Sequence, residues 1–248
     1  MIITSQDNNT VKSIVKLKDK KYREQSGKYY IEGYRCVKDS LPFAINPTLI
    51  IHEDMASIFG NEFSSYPQMI CADGVFRKLA DTENSQGIVC VADKKVPVKN
   101  RDAKYALFLD RVRDPGNLGT ILRTALAVGF NDIYLYDCVD AYNPKVVRSA
   151  MSAVTRVNTF IVDISEIECL KSNGYTVLCA DMDGESVFNR KNTVNEKICL
   201  VIGNEANGVL DEVKNASNEA ISLPMEQAES LNAGVCSAVM MYALEFNK

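Results

Sequence analysis

The 248-residue chain contains a single histidine, His52. That scarcity removes most zinc sites, Ser-His-Asp triads and Cys-His dyads, all of which need imidazole as ligand or base. The loops that most often hold nucleotides are missing too. No G-x-G-x-x-G follows a strand-like run, as a dinucleotide site or an ordinary Rossmann-like methyltransferase would require, and no G-x-x-x-x-G-K-[ST] marks a P-loop. Cysteine is present but unpatterned: eight residues, at 36, 71, 90, 138, 169, 179, 199 and 236, form no C-x-x-C. Most lie in apolar runs such as Val89-Cys90-Val91 and Ile198-Cys199-Leu200. They read as reduced, small hydrophobes of a cytoplasmic protein. The start, Met1-Ile2-Ile3-Thr4-Ser5-Gln6, lacks the basic-then-apolar order of a signal peptide, and Gly234 and Ser237 interrupt the apolar stretch near the end well short of a membrane span. No membrane role is expected.

What is present is ordinary globular composition: 46% hydrophobic residues and 28 Lys+Arg against 32 Asp+Glu, a net charge of −4. The charge is uneven. Residues 1–40 carry nine Lys+Arg against five acids, whereas residues 41–95 carry four against seven. Between Val11 and Arg23 the run VKSIVKLKDKKYR places Val11, Ile14, Val15 and Leu17 at helical spacing, with Lys12, Lys16, Lys18, Lys20 and Lys21 on the other faces. A solvated helix face is the bland explanation of such a run; a phosphate-contacting patch is the sharper one, and both stay open at this point.

Two domains and a linker are expected. Residues 1–95 alternate strand-like and helix-like segments, and 96–104, with Pro97 and several charges, read as a linker. From Tyr105 to the end, strands at 105–110, 132–137, 159–163, 175–181 and 197–203 are almost continuously apolar and separated by helical stretches. A parallel sheet covered on both faces demands that pattern, so a doubly wound α/β domain is expected over 105–248.

Open parallel sheets bind ligands beyond the carboxyl ends of their strands, and three loops there stand out. The first, Asp110 to Gly119, leads through Pro115-Gly116 into a helix that Asn117 can cap and Gly129 can end, with Arg123 among its apolar positions. Asn117, Gly119 and Arg123 suit the holding of an anion or ribose. The second is Gly203-Asn204-Glu205-Ala206-Asn207-Gly208, where glycine permits close backbone approach. The third runs from Leu223-Pro224-Met225 to Glu229-Ser230-Leu231-Asn232 before an apolar helix, for which Ser230 is an acceptable cap.

In this order the three segments resemble the SpoU (TrmH-type) branch of the SPOUT class of RNA methyltransferases: Asn117-x-Gly119-x-x-x-Arg123, Gly203-Asn204-Glu205-x-x-Gly208, and Leu223-Pro224-Met225 with Glu229-Ser230-Leu231-Asn232. Asn143-Pro144-Lys145-x-x-Arg148 resembles a stretch between the first two. The front half, with Thr4-Ser5 and Tyr30-Ile31-Glu32-Gly33, is similar to a small RNA-binding domain related to a ribosomal protein. Departures are the short Glu226-Gln227-Ala228 segment, Gly234 in place of Ser or Ala, and Ser152 where glycine is common.

The resemblance implies an α/β protein whose C-terminal parallel-sheet SPOUT domain carries a trefoil knot, preceded by that small α/β RNA-binding domain. It implies methyl transfer from S-adenosylmethionine to a ribose 2′-hydroxyl of ribosomal or transfer RNA, ribosomal RNA first, by a cytoplasmic homodimer paired through the knot region. A catalytically inactive RNA-binding or ribosome-assembly factor on the same fold is the alternative, and a small-molecule α/β enzyme a more distant one. Carried over by motif, Arg123, Asn117, Glu205, Ser230 and Asn232 would be catalytic: Arg123 either base or orienting group, Asn117 fixing Arg123 or the ribose, Glu205 anchoring the first-motif loop or Arg123, and Ser230 and Asn232 shaping the site. Ala180, Gly203, Asn204, Gly208, Leu223, Met225, Leu231 and Asn232 would hold the cofactor. Lys12, Lys16, Lys18, Lys20, Lys21, Arg23, Arg113, Lys145 and Arg148 would meet RNA, and no metal is implied.

Overall fold

The computed structural model describes residues 2–100, 102–228 and 230–246. In chain order the elements are β1 (Ile2–Ile3), α1 (Asn9–Lys16), α2 (Lys20–Ser26), β2 (Lys28–Glu32), α3 (Tyr34–Ser40), β3 (Ile45–His52), α4 (Ala56–Glu62), β4 (Gln68–Cys71), α5 (Asp73–Leu79) and β5 (Ile88–Asp93). They continue as β6 (Tyr105–Asp110), α6 (Pro115–Val128), β7 (Asp132–Tyr136), α7 (Pro144–Ala150), α8 (Ala153–Arg156), β8 (Asn158–Val162), α9 (Glu166–Ser172), β9 (Tyr175–Ser186), β10 (Lys197–Ile202), α10 (Asp211–Ala216), β11 (Glu219–Ser222) and α11 (Ala233–Phe246). Two compact units result. One takes the chain up to Lys95 together with Tyr142–Thr155; the other takes Val96–Ala141 and the chain from Arg156 onward.

The first unit holds a mixed sheet in the order β1-β4-β3-β5-β2, with β5 antiparallel to both of its neighbours. Val11, Ile14 and Leu17 on one side and Val75, Phe76 and Leu79 of α5 bury against Tyr30, Ile50 and Val89 of the sheet. The lysine-rich run is two helices rather than one. Asn8 accepts from the N–H groups of Thr10 and Val11 to start α1, and the Asp19 carboxylate accepts from the Lys21 N–H at 2.7 Å to start α2. Helix α7, capped by Asn143 with Pro144 at its first position, packs on β2 of this unit.

The second unit is a fully parallel six-stranded sheet in the order β11-β9-β10-β6-β7-β8. Every residue of β6 is buried, as a central strand covered on both faces requires. Helices α9 and α10 close one core through Ile167, Leu170 and Val213 against Phe108, Tyr134, Val177 and Val201, while α11 packs on α6 and β10. The strand order reverses direction between β6 and β10, which makes that crevice the topological switch point of the sheet.

Two details differ from expectation. Strand β9 runs on to Ser186, past the expected end at Asp181, and its extension pairs with the unanticipated β11 across a register shift after Ala220. A Cβ on Gly184 would lie 2.5 Å from the Ala220 carbonyl carbon, so only glycine permits that approach. The 96–104 segment is also tied down along the second unit: the Asn100 N–H donates to Asp132 at 2.8 Å, and Lys99 pairs with Glu166 at 2.6 Å.

Candidate active site

At the carboxyl end of β6, Asp114 caps α6, not Asn117. Its carboxylate accepts from the Asn117 N–H at 2.7 Å with Pro115 at the first helical position, and Gly129, at φ +101°, ends the helix as expected. The Asn117 side chain is thereby released for other bonds. Its Nδ2 donates to Glu205 Oε1 at 3.0 Å, and its Oδ1 accepts from Asn232 Nδ2 at 2.8 Å. Asn232, rather than Ser230, caps α11, its Oδ1 accepting from the N–H groups of Gly234 and Val235. Short polar residues cap helices almost interchangeably, so neither assignment was decidable from residue type alone.

Glu205 joins the loops after β6 and β10. Besides Asn117, its carboxylate accepts from the N–H groups of Arg113 at 3.4 Å and Asp114 at 3.2 Å. Burial pushes this carboxyl up, but the hydrogen bonds from Asn117 and the backbone outweigh it and hold the group below the usual carboxylate range. The loop bearing Glu205 is closed by paired Asn204–Gly208 backbone bonds of 2.9 and 3.0 Å. A Cβ on Gly203 would lie 2.3 Å from the Gly208 carbonyl carbon, so this closure demands glycine at 203.

Against these loops lies a cavity of about 490 Å³, within the range of small-molecule sites. Ala180, Gly203, Asn204, Gly208, Leu223, Met225 and Leu231 line it, together with Glu205 and Ser230. Of the residues expected around a cofactor, Asn232 alone is not on the wall. The lining also includes an ion pair that residue type alone does not single out: Asp181, in β9, pairs with Lys214 of α10 at 2.6 Å, and the ammonium holds its carboxyl low. An acid at the end of an apolar strand was the available signal. Apolar Leu223, Leu231 and Met240 beside polar Asn204 and Asp181 suit a ligand that joins a flat base, a sugar and a charged tail, so the lining fits S-adenosylmethionine.

Arg123 stands apart from this network. It is exposed on α6, about 9 Å along the axis from Asn117 at roughly 1.5 Å per residue. It has no hydrogen-bond or ion-pair partner among the described residues. Glu205 therefore anchors the first-motif loop, one of its two expected roles, and neither it nor Asn117 holds Arg123. Glu229 lies outside the described residues.

Of the residues expected to meet RNA, Arg23 must be withdrawn. It is 1% exposed, and its guanidinium donates to the carbonyls of Leu17 and Lys18, where it braces the turn between α1 and α2. Its long stem and the reading of one continuous helix hid that role. Lys18 is half-buried and donates to the Ala80 carbonyl at 2.6 Å. Lys12, Lys16, Lys20 and Lys21 are exposed, the first paired with Asp7 and the third with Glu24. Lys145 is exposed, Arg148 pairs with Asp81 at 3.4 Å, and Arg113 pairs with Asp137.

The pattern of the SpoU rRNA Methylase family matches residues 104–242, more than half of the chain. This chain belongs to that family. Residues 8–90 match an MRM3-like substrate binding domain. The chain is 30% identical over 245 residues, 98% of each protein, to the 23S rRNA (guanosine(2553)-2′-O)-methyltransferase RlmP of Bacillus subtilis. It is 31% identical over 204 residues to the mitochondrial rRNA methyltransferase 3 of Xenopus tropicalis, across 77% of this chain and 49% of that one. The AdoMet-bound rRNA methyltransferase of Sinorhizobium meliloti superimposes with a TM-score of 0.83 at 25% identity, over 98% of this chain and 96% of that one.

Proposed function

We propose that this chain transfers a methyl group from S-adenosylmethionine to a ribose 2′-hydroxyl of ribosomal RNA. The observation that carries the reading is the bonding of Asn117, Glu205 and Asn232, one from each motif loop, beside a cavity lined by cofactor-type residues. When bound, S-adenosylmethionine supplies a methyl group already activated on a sulfonium. The protein's tasks are then to hold that group, to bring the acceptor oxygen into line and to let its proton leave.

The glycine-closed loop at 203–208 and the segment from Leu223 to Leu231 would hold the cofactor, with Asp181 and Ser230 as polar contacts. Glu205 works through the frame: its ionised carboxylate fixes the Asn117 amide and, through it, Asn232. Arg123 serves as the group that meets RNA. A guanidinium keeps its proton up to a pKa of roughly 12.5 or above, so it is ill suited as a base near neutrality. It binds the phosphate beside the target ribose and orients the 2′-oxygen, while the proton passes to phosphate or water. Lys12, Lys16, Lys20 and Lys21 grip RNA as well, assisted by Arg113, Lys145 and Arg148.

We further infer a homodimer paired along α11, whose exposed face carries Val235, Val239, Tyr242 and Phe246, with the second copy completing the surroundings of Arg123. A knotted tail would follow from the family resemblance, and a cytoplasmic setting accords with eight free cysteines. Among the described residues no helix is long and apolar enough to cross a membrane. The direct test is incubation with tritiated-methyl S-adenosylmethionine and unmodified ribosomal RNA. Label in RNA is the expected result; cofactor binding without label would point to an inactive RNA-binding protein.

A further inference from the structure

The end of β6 holds a pair of residues that the motif reading leaves without a role. Asp110 is completely buried, and both of its oxygens are engaged. Oδ1 accepts from Arg111 Nε at 2.7 Å; Oδ2 accepts from Arg111 Nη2 at 3.1 Å and from the Leu210 N–H at 2.7 Å. The same Nη2 donates to the Gly208 carbonyl at 3.2 Å, and the Arg111 carbonyl accepts from Asn204 Nδ2 at 2.8 Å. Two consecutive residues thus grasp the 203–210 loop at three points: 204, 208 and 210.

Arg111 also sits at φ +56°. That left-handed conformation is comfortable for glycine and unfavourable for a long side chain, and it persists only where the surroundings over-determine it. Backbone geometry alone gives no reason for arginine at this position. The planar fork does, because one guanidinium spans a carboxylate and a carbonyl that an ammonium would reach singly.

We propose that Asp110 and Arg111 are positioning residues for the reaction. The pair sets the 203–210 loop in the shape that at once walls the cavity and presents Glu205 to Asn117. The inference rests on the reading that this cavity holds S-adenosylmethionine. Neither side chain need touch the cofactor; both act through Asn204, Gly208 and Leu210.

The test uses the full-length protein and two substitutions, Arg111→Gly and Arg111→Lys. Glycine keeps the turn and deletes the fork; lysine keeps a charge that reaches one acceptor. Three quantities are measured for each: thermal midpoint, S-adenosylmethionine affinity by calorimetry, and KM for RNA. Arg111→Gly is expected to melt several degrees below the parent, because the buried Asp110 loses two of its donors, and to bind S-adenosylmethionine about tenfold more weakly, the scale of one charge-assisted hydrogen bond. Arg111→Lys should recover part of that loss, and KM for RNA should stay near the parent value in both. A merely structural arginine would move the melting point and leave affinity alone. If Arg111→Gly fails to fold, Arg111→Lys decides by the same measure. Parent-like affinity in every folded variant overturns this inference, whereas a parent protein that binds no S-adenosylmethionine overturns the functional reading beneath it.

Discussion

On the reading proposed above, an exposed guanidinium with no partner among the described residues and a carboxylate with several donors divide the tasks of the site. Arg123 is free to meet what comes from outside, and Glu205 is spent on the frame. Arg123→Ala should therefore leave S-adenosylmethionine binding by calorimetry near the parent value. Its methyl transfer should fall by about 100-fold or more, the scale of losing one preorganised charge-stabilising donor. Full transfer in that variant would remove Arg123 from the mechanism. Glu205 makes a different prediction. Its folded pKa is depressed below the ordinary value of about 4.3, so its contribution to the loop is complete above that value and is lost as pH falls through the folded one. Cofactor affinity should be level at and above the ordinary carboxylate range and decline only on the acid side of it. Asp181 is likewise held low, by Lys214, so the decisive comparison is Glu205→Gln, which should bind less at neutral pH and lose part of the acidic decline.

At the scale of elements, α11 and the pair α1–α2 carry the account. Helix α11 has one charged residue, Glu245, and an outer face with Val235 48% and Tyr242 48% exposed, a surface that water disfavours. Val239→Glu should convert a dimer into a monomer in sedimentation, with the fold retained by circular dichroism; a parent protein that sediments as a monomer would contradict the pairing. Replacing Lys12, Lys16, Lys20 and Lys21 by glutamine should weaken RNA binding and flatten its salt dependence by about 0.7 to 0.9 in slope per contact. An unchanged slope would place RNA elsewhere. These helices also show what sequence patterning misses. The spacing of Val11, Ile14 and Leu17 is truly helical, but Asp19 could be read as one more surface charge when its carboxylate in fact starts a new helix. The sequence displays the charge of Arg23 but not the Leu17 and Lys18 carbonyls to which its guanidinium donates. Strand β11, four residues from Glu219 to Ser222, has no apolar run to announce it and exists by pairing with the extension of β9.

For the molecule as a whole, the parallel sheet was legible because buried central strands must be almost continuously apolar, and β6, β7 and β10 are so but for one charged residue at an end of each. The site was legible in part. Its three loops could be found from strand ends and residue types, but their order in space comes from the reversal between β6 and β10, which no local pattern encodes. The same holds for Tyr142–Thr155, which follows β7 in sequence yet packs with the first unit. Because the account joins cofactor cavity, motif loops and basic helices into one activity, ribose-methylation mapping across total RNA, from cells with and without this protein, tests it most directly. The account predicts that a 2′-O-methyl mark on ribosomal RNA disappears without the protein and returns with the parent sequence but not with Arg123→Ala. Identical maps in its presence and absence would contradict it.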